Sequence, residues 1–203
     1  MAWKELNEIH QNRKEKVYRK KEVIFSEGDY ANYLYFIKKG KVKSVKMDEY
    51  GKEFVVEILG AKDFMGYMAL FEEGDYQETA IVMEDVEVAL IPKSDFNDLI
   101  TKNRDVAHCF IKMLADNVHE KEKRLLQLAY TPVRERVANV LLDLSQQLRE
   151  EEQKDGWLKI SREDMANIVG TAKESLIRIL SDFKKAGYIE AQEPACAWLI
   201  KQG

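Results

Sequence analysis

The sequence predicts an α+β fold in which an antiparallel β sandwich or barrel is followed by one long helix and then by a winged helix-turn-helix. Three observations carry this reading. Between residues 22 and 92, short segments that alternate apolar with polar, or are β-branched and aromatic, are separated by turn signals. From about 103 to 130, apolar residues recur at spacings of 3 and 4. From 159 to 187, two short amphipathic patterns flank Gly170-Thr171. A chain of 203 residues is long enough for two modest domains.

The β segments are EVIF, YLYFIKKG, KVKSVKM, EFVVEIL, ETAIVM and VEVALIP, punctuated by GD, EYGKE, GAKD, EEGD and MED. Six to eight short strands at this spacing imply a sandwich or barrel, assigned to residues 1–102. After Pro92, SDFNDLITKN carries a helix start signal in Ser94.

In the helix at 103–130, Ala107, Ile111, Leu114, Val118, Lys121, Leu125 and Leu128 form a heptad seam, interrupted only by Lys121. A second apolar row, Val106, Phe110 and Met113, flanks it. One row can pack on the β domain while the seam pairs with a second copy of the chain. Thr131-Pro132 then breaks the helical pattern, because the residue before proline is pushed out of the α region. A second helix begins at Val133 and fades into the charged run EEEQKDG, read as a surface loop.

In ISREDMANIVGTAKESLIRILSDFKKAGYIEA, Ser161 can cap a first helix with Asp164 at its third position, and Ala166 is small where a second helix must cross. Gly170 can end that helix in the left-handed conformation. A second helix runs to Ala186 with Leu176, Ile179, Leu180 and Phe183 inward, leaving Lys173, Glu174, Ile177 and Arg178 outward. Residues 159–185 hold six basic side chains against four acidic ones, in a chain of net charge −4. That local excess suits phosphate contact. YIEA and CAWLI, around Glu193-Pro194, read as the two strands of a wing completing the domain at 131–203.

Composition bounds the alternatives. Hydrophobic residues make up 45% and charged residues 33%, ordinary for a soluble globular protein, and no apolar run approaches the roughly 18 residues of a membrane span. The first 18 residues are polar and helical in tendency, with no signal-peptide core, so a cytoplasmic location and no membrane partner are expected. Cys109 and Cys196 have no CxxC partner and are expected to be buried. His10, His108 and His119 form no HExxH or carboxylate-rich cluster, so no metal site is expected. No paired carboxylates or nucleophile–base spacing point to an enzyme.

GYMALFEEGDYQETA, residues 66–80, has the layout of an anion cradle: a glycine enters a short helical turn, a second leaves it, and the small pair Thr79-Ala80 follows. It carries four acids, Glu72, Glu73, Asp75 and Glu78, and no Lys or Arg. Phosphate sites need backbone N–H groups and usually a cation.

From about residue 18 onward the chain resembles the Crp/Fnr family of bacterial transcription regulators, most specifically in FIKKGKV, GYMALFEEGDYQETA and ISREDMANIVGTAKESLIRIL. The resemblance implies that the β domain is a double-stranded β-helix (β-roll or jelly-roll) and that a homodimer is joined along the 103–130 helix. It further implies a recognition helix reading palindromic double-stranded DNA, with RNA polymerase as partner. Ser161, Arg162 and Thr171 match phosphate-holding positions, while Ala172 lacks the hydroxyl usual there. Lys173 stands where the family usually has Arg, and Glu174 and Arg178 are retained.

The same resemblance assigns Gly66, Tyr67, Met68, Ala69, Glu78, Thr79, Ala80 and Lys121 to an effector pocket. Cyclic-AMP binders show Glu where this chain has Tyr67 and Arg where it has Glu78; Lys121 and Glu122 replace an adenine-facing hydroxyl pair. No cofactor is predicted. Cyclic AMP is not expected to bind in the usual way, and another small effector is left open. An effector-independent regulator and a sensor or adaptor that no longer binds DNA are the alternatives.

Overall fold

The computed structural model describes residues 14–150, 157–192 and 197–200. The chain forms two compact units, divided between Glu120 and Lys121 within the long helix rather than at Thr131-Pro132.

The first unit is built on β1 (Lys14–Tyr18), β2 (Val23–Phe25), β3 (Tyr33–Met47), β4 (Glu53–Leu59), β5 (Phe64–Met65) and β6 (Thr79–Pro92). These join in one sheet in the order β1-β6-β3-β4, with β2 on β6 and β5 on β3. All the pairings are antiparallel. The two segments expected on either side of Gly40 are one strand of 15 residues, and the two on either side of MED are one of 14. The cause is a set of bulges: the β3–β6 register slips between Ile37 and Val42 without losing the pairing. Gly40 makes this possible. Its φ is +89°, and a Cβ there would lie 2.4 Å from the Asp85 carbonyl oxygen.

Residues 14–18, expected to be helical, form β1 instead, in register from Lys14 opposite Leu90 to Tyr18 opposite Val86. Only Tyr18 of this strand is buried, so backbone pairing with β6 outweighs local propensity. Three helices follow in this unit: α1 (Tyr67–Phe71), α2 (Lys93–Lys102) and the start of α3 (Arg104–Tyr130). The expected cap at Ser94 is not made, because α2 begins at Lys93 and the Ser94 hydroxyl donates to Asp95. Asn103 separates α2 from α3. Its extended backbone stops the first helix, and its Oδ1 accepts from the N–H groups of Asp105 and Val106 to start the second.

The N-terminal part of α3 is anchored by Val106 and Phe110, both fully buried. Phe110 stacks edge-on against Phe64 and Phe96, with ring centroids 5.6 and 5.2 Å away.

The second unit contains the remainder of α3, α4 (Val133–Glu150), β7 (Leu158–Lys159), α5 (Arg162–Val169), α6 (Lys173–Lys185), β8 (Ile189–Gln192) and β9 (Ala197–Ile200). Its sheet runs β7-β9-β8, so β7 adds a third strand to the two expected in the wing. At two residues it is too short to carry an alternation signal. Val137 and Leu141 of α4 are buried, as are Met165, Leu176, Leu180 and Trp198. Arg124 donates to the Ile168 carbonyl at 2.9 Å, binding the last turns of α3 to the end of α5. Cys196, Glu193-Pro194, His10 and the loop at 151–156 lie outside the described residues.

Candidate functional site

In the second unit the helix pair is set by local chemistry. Ser161 Oγ accepts from the Asp164 N–H at 2.9 Å and donates to the Asp164 carboxylate at 2.7 Å. Gly170 ends α5 in the left-handed conformation (φ 70°, ψ 50°), and its N–H and that of Thr171 both donate to the Ala166 carbonyl. Ala172 starts α6 with no side-chain cap. Ala166 is buried, as closely crossing helices require.

On α6, Leu176 and Leu180 are fully buried and Phe183 nearly so, while Lys173, Glu174, Ile177 and Arg178 are exposed. The residues singled out from sequence therefore share one solvent-facing side at the helix N-terminus. Lys173 and, at the start of α5, Arg162 are engaged with neighbours. Lys173 Nζ lies 3.9 Å from Glu163, and the Arg162 guanidinium sits over the Trp198 ring at 5.6 Å. Arg134 of α4 lies over Phe183 at 4.7 Å and reaches Asp182 at 3.4 Å, holding the rear of α6.

The seam residues of α3 fall on a face distinct from the anchored one. Ile111, Val118 and Leu125 are 60%, 58% and 67% exposed, an apolar row open to solvent along one side of the helix. Ala107, Leu114 and Leu128 are half-buried, and Lys121 is exposed. Cys109, expected to be buried, is only half-buried at the edge of the β-domain core. His108 and His119 are exposed on the same helix.

In the first unit, Gly66 precedes α1 with φ 84°, and a Cβ there would lie 2.9 Å from the Tyr76 ring and 3.3 Å from the Tyr33 carbonyl oxygen. Tyr76 is locked in place by donating to that same carbonyl at 2.8 Å. Gly66 is thus a packing requirement of the cassette. At the other end, Glu73 rather than Gly74 takes the left-handed backbone, with φ 55°.

Tyr67 and Ala69 point into the core, Met68 points out, and Ala80 is buried. Thr79 Oγ1 accepts from the Glu27 N–H at 3.0 Å. Glu78 is half-buried just before β6. Asn117 of α3 donates its side-chain amide to the Tyr67 hydroxyl. The tyrosine pKa is pushed up to about 12, first by burial and then by the carboxylates of Glu57, Glu78 and Asp63. The Asn117 bond works in the opposite direction. An anion placed beside this hydroxyl would meet three like charges in a partly desolvated space.

Three residues of this site escape a reading of the sequence. Asn117 lies on α3 one turn before Lys121 and carries no motif. Ser44 and Glu57 stand opposite each other on β3 and β4, a relation fixed by the β-bulge between Ser44 and Val45. The available signal was Glu57 two positions before Leu59, whose side chain enters the core.

Among the described residues there is no metal-binding cluster of His, Cys, Asp and Glu, and no helix is long and apolar enough to cross a membrane.

Residues 15–103 match the Cyclic nucleotide-binding domain family, and residues 135–200 match the Crp-like helix-turn-helix domain. The cAMP-activated global transcriptional regulator Vfr of Pseudomonas aeruginosa is 32% identical over 180 residues, covering 86% of this chain and 84% of that protein. The cAMP-activated global transcriptional regulator CRP of Salmonella typhimurium is 32% identical over 176 residues with the same coverage. Among solved structures, the c-di-GMP responsive global regulator CLP of Xanthomonas campestris has a TM-score of 0.84 at 20% identity, covering 98% of each chain. FixK2 from Bradyrhizobium japonicum has a TM-score of 0.82 at 24% identity, covering 94% of this chain and 93% of that one. These two show the fold. With the sequence relatives and both domain matches in chain order, they establish that the chain belongs to the Crp/Fnr family of transcription regulators.

Proposed function

We propose that the protein is a homodimeric, sequence-specific DNA-binding regulator that reads the major groove through the exposed N-terminal side of α6. The observation that carries this is the segregation of that helix: Lys173, Glu174 and Arg178 face solvent while Leu176 and Leu180 are buried behind them. Arg178 can bond guanine O6 and N7 bidentately, and Glu174 can accept from cytosine N4. Ser161, Arg162 and Thr171 are assigned to phosphates, which position the helix without specifying sequence. The unpaired apolar row Ile111, Val118 and Leu125 supports pairing of two copies along α3, which would present two recognition helices to the halves of a palindrome. RNA polymerase is the partner that such a regulator would engage.

The β domain is proposed as an effector domain that does not take cyclic AMP in the usual way. Tyr67 and Glu78 stand at the cassette positions, and the surroundings of the Tyr67 hydroxyl are acidic. Fluorescence anisotropy with a labelled duplex from the gene's own upstream region tests both parts, with and without cyclic AMP. Tight, salt-sensitive binding that cyclic AMP leaves unchanged is expected. A chain that binds this duplex no better than random DNA is not acting as proposed on its own promoter.

A further inference from the structure

The inner face of the β domain holds a buried hydroxyl for which the fold supplies no partner. Ser44 is 2% exposed, and its Oγ makes no hydrogen bond. Leaving a buried hydroxyl in that state is destabilising, so its persistence calls for an explanation. Its direction follows from register. Val42 pairs with Leu59 on one side and Val82 on the other, and all three belong to the apolar core. Two residues along, Ser44 pairs with Glu57 and Ala80, and Ala80 belongs to the same core. Ser44, Glu57 and Ala80 therefore form one row across β4, β3 and β6 on the inner face. Glu78 stands two positions before Ala80. The Tyr67 hydroxyl lies within electrostatic reach of Glu57 and Glu78 and accepts from the Asn117 side-chain amide.

A hydrogen-bond acceptor set of this kind, a hydroxyl with one carboxylate opposite it and another two positions before its other strand partner, is the complement of a charged N–H group. We propose that the inner face of the β domain between Glu57 and Glu78 binds a compact organic cation, an ammonium- or guanidinium-bearing small molecule whose N–H groups are accepted by the two carboxylates and Ser44 Oγ. This rests on the reading of the β domain as an effector domain, and it names the ligand class. Carboxylates repel the phosphate that a cyclic nucleotide would bring and attract a cation in the same place. Ser44 adds geometric selection, since it can accept an N–H only from a group small enough to reach the sheet.

The test is isothermal titration of the full chain with agmatine, which carries both an ammonium and a guanidinium group, and in parallel with cyclic AMP. Saturable agmatine binding is expected in the wild type, at least about tenfold weaker in Glu78→Gln and several-fold weaker in Ser44→Ala. Melting temperatures of both variants establish that they fold. Agmatine binding that is absent, or unchanged in a folded Glu78→Gln, overturns the cation site while leaving the non-cyclic-AMP reading intact. Saturable cyclic-AMP binding overturns that reading itself.

Discussion

The side-chain amide of Asn117, on the long helix, donates to the hydroxyl of Tyr67, the first residue of α1. Tyr67 is 5% exposed and Asn117 half-buried, so this is a partly buried tie between the cassette and α3. Tyr67→Phe keeps the ring contact with Phe110 (5.9 Å between centroids) and removes only the polar partner of Asn117. A loss of about 1 kcal/mol of unfolding free energy is expected, read by urea denaturation at neutral pH. A variant as stable as wild type would mean that water replaces the tie without cost.

Alkaline pH should weaken the β domain through its tyrosines. Burial raises the pKa of Tyr35, Tyr67 and Tyr76, and for Tyr67 the value is about 12. The folded state then holds protons that the unfolded chain releases near pH 10. The contribution is fully present below about pH 10 and is lost as pH rises through the folded pKa. Stability should fall between about pH 10 and 12, with tyrosinate absorbance appearing together with unfolding. Tyrosinate absorbance complete by pH 10 in the folded protein would contradict this.

Gly40 is expected to tolerate no side chain. A Cβ would combine a left-handed backbone at φ +89° with a 2.4 Å approach to the Asp85 carbonyl. Gly40→Ala should cost about 2–5 kcal/mol, adding the backbone penalty to overpacking against main chain. Gly51→Ala, with φ +76° but open space around the Cβ, should cost only the backbone part. Denaturant midpoints of the two variants separate the contributions.

The features legible in the sequence were those decided within a few residues. Ser161, Asp164 and Gly170 announce a helix that starts and stops by its own side chains and backbone, and the structure has those bonds. The apolar rows of α3 were likewise visible as spacing, and Val106 and Phe110 are buried as that spacing requires. What the sequence concealed depends on partners far along the chain. Residues 14–18 become a strand only because β6 offers an edge more than 60 residues away. Strands β3 and β6 run through Gly40 and MED because bulges absorb the irregularity. The Ser44–Glu57 row was invisible for the same reason, since a one-residue shift in register would send both side chains to the other face.

The apolar row of α3 gives a prediction about assembly. Val118 and Leu125 are more than half exposed, and both lie on the seam with Ile111. Leu125→Glu places a carboxylate where two copies would exclude water, whereas on a monomer it would only improve solvation. Sedimentation should show a dimer for the wild type and a monomer for Leu125→Glu. Unchanged dimerisation would put the contact on another surface.

Specificity on DNA should divide between two positions of α6, Lys173 and Arg178. Arg178 presents a planar fork suited to guanine, while Lys173 presents a single ammonium already drawn 3.9 Å from Glu163. An exposed pair of that length is weak and screened by salt, so it restrains Lys173 without neutralising it. In selection from random duplexes, Arg178→Ala should lose preference at one G·C pair per half-site, with about 1–3 kcal/mol less discrimination there. Lys173→Ala should lower affinity nearly uniformly across sequences and reduce the salt slope by about one, as loss of a phosphate contact does. Lys173→Arg supplies a planar fork, and a base preference that is absent in the wild type should appear there if this side chain reaches a base edge. If Arg178→Ala selects the same motif as wild type, base readout lies elsewhere on the second unit, and Glu174 becomes the residue to substitute next.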